Sequence, residues 1–234
     1  MSDAEFKQKR DQFMDELYSF FNRNDVAIEN NSKRLCYFFE MACYSRILHY
    51  YRNQNFILKP KCLKKNKGVF KFKFTASGIP NNYSFFRISR NIENSEQKRE
   101  YDIRSNMSVC SSFDNCTYVP DIVVSKASDE NDIERIEKQN LITFCEVKYL
   151  KPYPEMLANF IGTVHELTPD LLGGPDKRIG EHPAPTLMAS GHSSENVNEI
   201  SKGMRKRNTV NFALNYENNS AGFEAEKRIG GLFE

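Results

Sequence analysis

The sequence predicts an α/β fold in which a mixed central β-sheet is flanked by helices. Three observations lead to this prediction. Two helical segments come first, a run of segments with strand-like alternation follows, and helix and strand alternate after Pro154. Consecutive strands favour antiparallel pairing, whereas a helix between two strands favours a parallel crossover. The chain has no internal repeat and no linker, so we expect a single domain spanning residues 1–234.

The N-terminal part of the chain contains two segments of helical character. Residues 2–22 carry apolar side chains on roughly one face, and Ser2 and Glu5 fit a capping box. An asparagine-rich stretch, 22–31, interrupts this pattern. Residues 32–53 are apolar on most sides, so we expect the second helix to be buried.

The middle of the chain has the character of strands. Residues 68–75 alternate lysine with apolar side chains, which is the period of a half-buried strand. Turn-rich segments separate the strands, and the highly charged segment 126–139 is expected to be an exposed loop or an irregular helix. Further strands are predicted at 83–89, 100–110, 118–125 and 141–149.

The C-terminal part returns to helical spacing. Pro154 and Glu155 suit the first turn of a helix that continues to about residue 167. The loop 168–185 is rich in Gly and Pro and has the length of a functional loop. We expect a short strand at 185–190, a helix at 196–207 and a last strand at 209–216, and the pattern of 217–234 is ambiguous.

Composition limits the classes of function. The formal net charge of +2 excludes a global positive field, so any contact with nucleic acid must come from local basic patches. The six cysteines form no CxxC pair, and no His/Cys pair has zinc-ligand spacing, which favours reduced thiols. The first residues lack the apolar core of a signal peptide, and no apolar run is long enough to span a membrane. We therefore expect a cytoplasmic protein without membrane contact.

The most informative residues are charged side chains within two apolar strands. Asp121 interrupts the first strand, and Glu146 and Lys148 interrupt the second. A charged side chain in a buried strand is costly unless it is paired or bound to a metal ion. Glu146 and Lys148 are two positions apart, so in a strand they project from the same face. Two carboxylates and an ammonium are thus expected to converge at the edge of the sheet.

This pattern resembles the PD-(D/E)xK nuclease superfamily, whose fold many restriction endonucleases share. The matching residues are Pro120-Asp121 and Glu146-Val147-Lys148. A helix before the sheet, a helix after the second strand and a later strand also agree with this family, over about 32–216. The resemblance implies a restriction endonuclease-like α/β fold for the chain.

The resemblance also implies a role for each matching residue. Asp121, Glu146 and the main-chain carbonyl of Val147 would bind Mg²⁺, which prefers oxygen ligands, or Mn²⁺ in its place. Lys148 would orient or help deprotonate a water molecule and offset charge in the transition state. Glu40 is the one acidic side chain in its apolar helix and is the candidate for a further catalytic carboxylate.

The expected function is that of a metal-dependent endodeoxyribonuclease, with DNA as its partner. The resemblance suggests a bacterial restriction or antiphage defence effector. Cutting both strands of a duplex suits a homodimer or a higher homo-oligomer. Two alternatives stay open, namely a ribonuclease and a non-catalytic nucleic-acid-binding or protein-interaction module on the same fold.

Each site residue also has a simpler structural explanation. Asp121 could end a strand, because Pro-Asp is a common turn pair. Glu146 and Lys148 could be a solvent-facing pair on an edge strand. Glu40 could be a core glutamate bonded to Tyr44, one helical turn away.

Two basic groups are candidates for DNA contact. Lys71 and Lys73 alternate with phenylalanines and could contact phosphates along one face of the sheet, although a solvated strand gives the same pattern. Arg205, Lys206 and Arg207 follow one another near the end of a predicted helix. They could contact DNA or simply complement the helix dipole.

Overall fold

The centre of the protein is a seven-stranded β-sheet with helices on both faces. A computed structural model describes residues 3–22, 27–28, 34–62, 69–91, 98–128, 133–174 and 181–215. The helices are α1 Asp3–Asn22, α2 Leu35–Asn53, α3 Pro154–Leu167 and α4 Glu195–Arg207. The strands are β1 Ala27–Ile28, β2 Ile57–Lys61, β3 Val69–Phe70, β4 Phe85–Asn91, β5 Lys98–Ser105, β6 Val109–Cys110, β7 Thr117–Tyr118, β8 Ile122–Lys126, β9 Leu141–Lys148, β10 Thr186–Ala189 and β11 Asn211–Ala213.

The strand order of the central sheet is β11-β10-β9-β8-β5-β4-β2. The pairings of β10 with β9 and with β11 are parallel. All other pairings in this sheet are antiparallel. The prediction of an α/β fold with a mixed central sheet is therefore confirmed.

Alternation along the strands divides the apolar core between the two faces of the sheet. Ile122 and Val124 of β8 pack with α1 and α2, whereas Val123 packs with α3 and α4. Successive side chains of a strand point to opposite faces, so an uninterrupted apolar strand requires helices on both sides. The expectation that α2 is buried is confirmed, since its aromatic and aliphatic side chains are almost fully enclosed.

The predicted strand at 68–75 is mostly wrong. Within the described part of this segment, 69–75, only Val69 and Phe70 form a strand, β3, and it pairs with β1 outside the central sheet. Residues 71–74 continue without regular pairing. The phenylalanines Phe70 and Phe72 do enter the core, as the alternation predicts, but Lys73 is buried rather than solvated.

Two other predicted strands are each divided in the structure. The segment 100–110 is interrupted at Asn106, which has a left-handed backbone with φ 49°. The segment 118–125 is interrupted at Pro120 and Asp121, before β8 begins. Sequence reasoning also missed β2, an edge strand that contains Pro60.

The remaining helices and strands lie close to their predicted positions. The helices begin and end within three residues of the predicted bounds, and β9 ends one residue early. All six cysteines are free, as expected. No helix in the described ranges is both long enough and apolar enough to cross a membrane. Ser2 of the predicted capping box and the ambiguous tail 217–234 lie outside the described residues.

Candidate active site

The strand register brings Asp121 beside the end of β9. Ile122 pairs with Cys145, so Asp121, which precedes β8, comes opposite Glu146. The main-chain N–H of Val147 donates to Asp121 Oδ2 at 2.6 Å. The carboxylate of Asp121 thus continues the ladder of hydrogen bonds where β8 has not yet begun. Asp121 does not simply end a strand.

A single ammonium group joins the two carboxylates. Lys148 Nζ donates to Asp121 Oδ2 at 3.0 Å and to Glu146 Oε2 at 2.7 Å. The two acceptor oxygens therefore lie no farther apart than the sum of these distances. The side chains of Asp121 and Glu146 are 18% and 16% exposed, and that of Lys148 is 37% exposed. This partly enclosed cluster does not match the solvent-facing pair that was the alternative for Glu146 and Lys148.

The electrostatics of the cluster are dominated by burial and by the proximity of the two carboxylates. Burial and the negative charge of Asp121 raise the pKa of Glu146 to about 7, and Lys148 opposes this rise. Burial alone would lower the pKa of Lys148, but Asp121 and Glu146 outweigh it and raise this pKa above its usual value. Lys148 therefore stays an ammonium at neutral pH, whereas Glu146 can bind or release a proton there.

Glu40 projects from α2 toward the same end of the sheet. Its carboxylate accepts a hydrogen bond from Asn106 Nδ2 at 2.5 Å, and only 9% of the residue is exposed. Burial, followed by the charge of Asp121, raises its pKa well above the usual range. The hydroxyl of Tyr44 donates instead to the carbonyl of Ile103, so the alternative of a Glu40–Tyr44 bond is wrong.

The oxygen donors of this cluster fit a hard divalent cation. Asp121 and Glu146 offer two carboxylates, and Mg²⁺ commonly binds through one or two of them. The N–H and C=O of a strand residue face the same neighbour, so the Val147 carbonyl also faces the Asp121 side. Two carboxylates share one ammonium, which leaves an excess of negative charge. In the part of the chain that the structure describes, no three His, Cys, Asp or Glu residues form a preassembled metal-binding group.

The two lysines predicted to contact DNA have different surroundings. Lys71 is partly exposed, and its ammonium lies 5.6 Å from the centre of the Tyr83 ring. Lys73 is only 3% exposed, and its ammonium donates to the main-chain carbonyls of Ala76 and Asn106. The ammonium of Lys73 is therefore turned inward, which differs from the predicted phosphate contact. Lys71 is the lysine of this pair that a phosphate could reach.

The basic group at the end of α4 lies away from the carboxylates. Ala189 at the end of β10 pairs with Lys148, whereas Thr186 at its start pairs with Asn211. α4 carries the chain from the end of β10 back to the start of β11, so Arg205–Arg207 lie toward the opposite ends of the strands from Asp121. Lys206 and Arg207 are exposed there, but Arg205 is buried and does not present a free cation to DNA.

Sequence reasoning missed Asn106 as a member of this site. Its main-chain N–H donates to the carbonyl of Asp121 at 2.9 Å, and its side chain reaches Glu40. One available signal was a polar asparagine inside a predicted strand, 100–110, because asparagine tolerates left-handed backbone that most residues avoid.

Comparison with known proteins adds no relative. No protein-family model matches the chain, and neither the curated proteins nor the solved structures contain a match. The resemblance described above therefore rests on the residues of this chain and on their arrangement.

Proposed function

We propose that this protein is a metal-dependent nuclease that hydrolyses phosphodiester bonds within DNA. The observation that carries the proposal is the meeting of Asp121 and Glu146 around the Lys148 ammonium, where two central strands of a mixed sheet lie side by side. The surrounding elements support it, because α3 follows the strand that bears Glu146 and Lys148, and β10 comes later, as the PD-(D/E)xK resemblance implies.

Each residue of the candidate site would have its own role in the reaction. Asp121, Glu146 and the Val147 carbonyl would hold Mg²⁺, or Mn²⁺ in its place, with Glu40 as a further carboxylate. A bound Mg²⁺ supplies polarisation of the phosphate and activation of water. Without a metal ion, Asp121 and Glu146 raise the pKa of Lys148, so its ammonium donates hydrogen bonds to both carboxylates. In the reaction, Lys148 would orient or help deprotonate a water molecule and offset negative charge.

Cleavage of a closed circular plasmid is the direct test. We expect Mg²⁺ or Mn²⁺ to allow nicking and linearisation, and EDTA to prevent both. Because a closed circle has no ends, this substrate reports endonuclease activity alone. Asp121→Asn and Glu146→Gln should each reduce cleavage to the level of the EDTA control. The matched control is Glu137→Gln, which makes the same change on an exposed side chain before β9 begins.

The outcomes of this test separate the proposal from its alternatives. Cleavage of an RNA of similar length, with the plasmid left intact, would assign a ribonuclease. Equal cleavage by wild type and Asp121→Asn would remove these residues from the reaction and refute the proposal.

A specific observation favours a second candidate, a non-catalytic binding module. The Lys148 ammonium already bonds both carboxylates, so the cluster can persist without a metal ion. A module of this kind would bind nucleic acid or protein equally well in EDTA and in Mg²⁺ and would cleave neither substrate. Retained DNA binding with no cleavage under either metal would therefore favour this candidate.

The biological setting that we propose rests on the PD-(D/E)xK resemblance. A homodimer or higher homo-oligomer would supply two sites for the two strands of a duplex. A cytoplasmic restriction or antiphage effector would need such an activity. Light scattering on the purified protein, with and without a short duplex, measures the oligomeric state.

A further inference from the structure

Asn106 has an unusual backbone conformation next to the candidate site. Its φ of 49° lies in the left-handed region, which residues other than glycine, asparagine and aspartate rarely adopt. The residue is 6% exposed and follows directly after β5. Conformations of this kind are kept only where the surrounding contacts enforce them, and they cluster at functional sites.

The side-chain amide nitrogen of Asn106 donates to residues of two other segments. Its Nδ2 donates to Glu40 Oε1 at 2.5 Å and to the main-chain carbonyl of Lys73 at 2.9 Å. Both N–H groups of the amide thus have acceptors, one of which is a buried carboxylate. A buried carboxylate without a donor would be costly, so this bond fixes where the Glu40 side chain points.

The main-chain N–H and C=O of Asn106 also form hydrogen bonds. Its N–H donates to the carbonyl of Asp121 at 2.9 Å, and its own carbonyl accepts the ammonium of Lys73. The main-chain N–H of Lys73 donates to Ser105 Oγ at 3.2 Å. Asn106 therefore connects the helix that carries Glu40 to the residue that precedes β8, and Lys73 fixes its backbone from the other side.

We propose that Asn106 is a positioning residue that aims the Glu40 carboxylate at the Asp121–Glu146 site, so that Glu40 becomes its third carboxylate. This inference rests on the proposed metal-dependent function. Asn106 touches neither metal nor DNA in this role, and it acts through Glu40. Residues that orient a metal ligand typically change metal affinity or activity by about tenfold to a hundredfold when they are replaced.

Asn106→Gly isolates the contribution of the side chain. Glycine accepts a positive φ without strain and keeps both main-chain hydrogen bonds, while the amide that holds Glu40 is lost. We expect Mg²⁺ affinity, measured by calorimetry without DNA, to fall by about tenfold or more. We also expect kcat to fall while KM for a DNA oligonucleotide stays close to wild type. The matched control is Asn55→Gly, at another left-handed asparagine, with φ 62°, which follows the far end of α2.

A double-mutant cycle with Glu40→Gln tests whether Asn106 acts through Glu40. In the Glu40→Gln background, Asn106→Gly should cause no further loss of Mg²⁺ affinity or of kcat. Additive losses would overturn the proposal, as would wild-type affinity and kcat in Asn106→Gly. If that variant does not fold, Asn106→Asp keeps the size and tolerates the φ but lacks the N–H donor. Wild-type kcat in a folded Asn106→Asp protein would overturn the proposal as well.

The positioning role of Asn106 and the proposed nuclease function can be refuted independently. If wild type binds Mg²⁺ but cleaves no nucleic acid, the nuclease is refuted while the affinity cycle still decides the role of Asn106. If wild type cleaves DNA and Asn106→Gly matches it in affinity and kcat, the nuclease stands and the positioning role is refuted.

Discussion

Replacing Glu146 by glutamine is expected to stabilise the metal-free protein at neutral and alkaline pH and to abolish the proposed cleavage. Burial and the Asp121 carboxylate raise the pKa of Glu146 to about 7, and Lys148 only partly opposes this. Glutamine has nearly the shape of the protonated carboxyl group and never ionises. The variant therefore avoids the cost of a buried second negative charge, at the expense of a proposed metal ligand.

The size of this effect follows from the pKa. As the pH rises from 4.5 to about 7, the unfolded chain releases the proton of Glu146 before the folded protein does. The free energy of unfolding of wild type therefore falls across this window, relative to that of Glu146→Gln. At about 1.4 kcal/mol for each pH unit, a rise in pKa from 4.5 to about 7 corresponds to about 3 kcal/mol. The full difference is reached above pH 7.

Urea unfolding in EDTA, followed by circular dichroism, measures this difference. Wild type and Glu146→Gln should have similar stability below pH 4.5, diverge as the pH rises toward 7, and keep a constant difference above it. Glu137→Gln, on a side chain that is 46% exposed, controls for the loss of a carboxylate and should show no such divergence. A Glu146→Gln protein that is less stable than wild type above pH 7, or a difference that does not change with pH, would refute the reasoning.

Other substitutions test further parts of the structure. Gly191→Ala should lower the Tm in calorimetry, because its Cβ would lie 2.8 Å from the Cα of Lys151. Gly162→Ala in α3 is the contrasting case, since its Cβ would meet nothing within 4 Å, and it should raise the free energy of unfolding by about 1 kcal/mol. Lys148→Met should lower the free energy of unfolding, measured with urea in EDTA, by about 1–2 kcal/mol, which lies between the values for exposed and for buried ion pairs. Adding Mg²⁺ should restore part of the lost stability. Burial lowers the pKa of His182 to about 4, so wild type should lose stability as the pH falls from 6.5 toward 4. Acid unfolding curves of His182→Gln should not show this loss of stability.

The helices and the central strands could be predicted because their apolar periods are long. The same reasoning failed where tertiary contacts override the period. Lysine alternates with phenylalanine at 69–74, which predicts solvated lysines, yet Lys73 is buried because two main-chain carbonyls accept its ammonium. β2 was missed because Pro60 interrupts its pattern, and an edge strand tolerates proline where a central strand does not.

The carboxylates of the candidate site could be anticipated because strand geometry is local. Residues two apart share a face, which places Glu146 with Lys148, and antiparallel pairing then brings Asp121 opposite them. The contact between Glu40 and Asn106 joins residues that are 66 positions apart, and no local period encodes it. Conversely, Arg205–Arg207 form a cluster in sequence, but the crossover through α4 takes them away from the carboxylates.

The charge balance of the Asp121 cluster differs from that of a more deeply buried structural ion pair, at Asp102. Asp102 is 1% exposed, and its carboxylate receives Arg87 Nε at 2.8 Å and Arg104 Nη2 at 3.3 Å. Two cations thus surround one carboxylate, and a further cation would gain nothing there. At the end of β9 the ratio is reversed, since Asp121 and Glu146 share one ammonium. Because folding alone would favour balanced charges, an excess of negative charge that raises the pKa of Glu146 favours a cation-binding role for this cluster over a purely structural one.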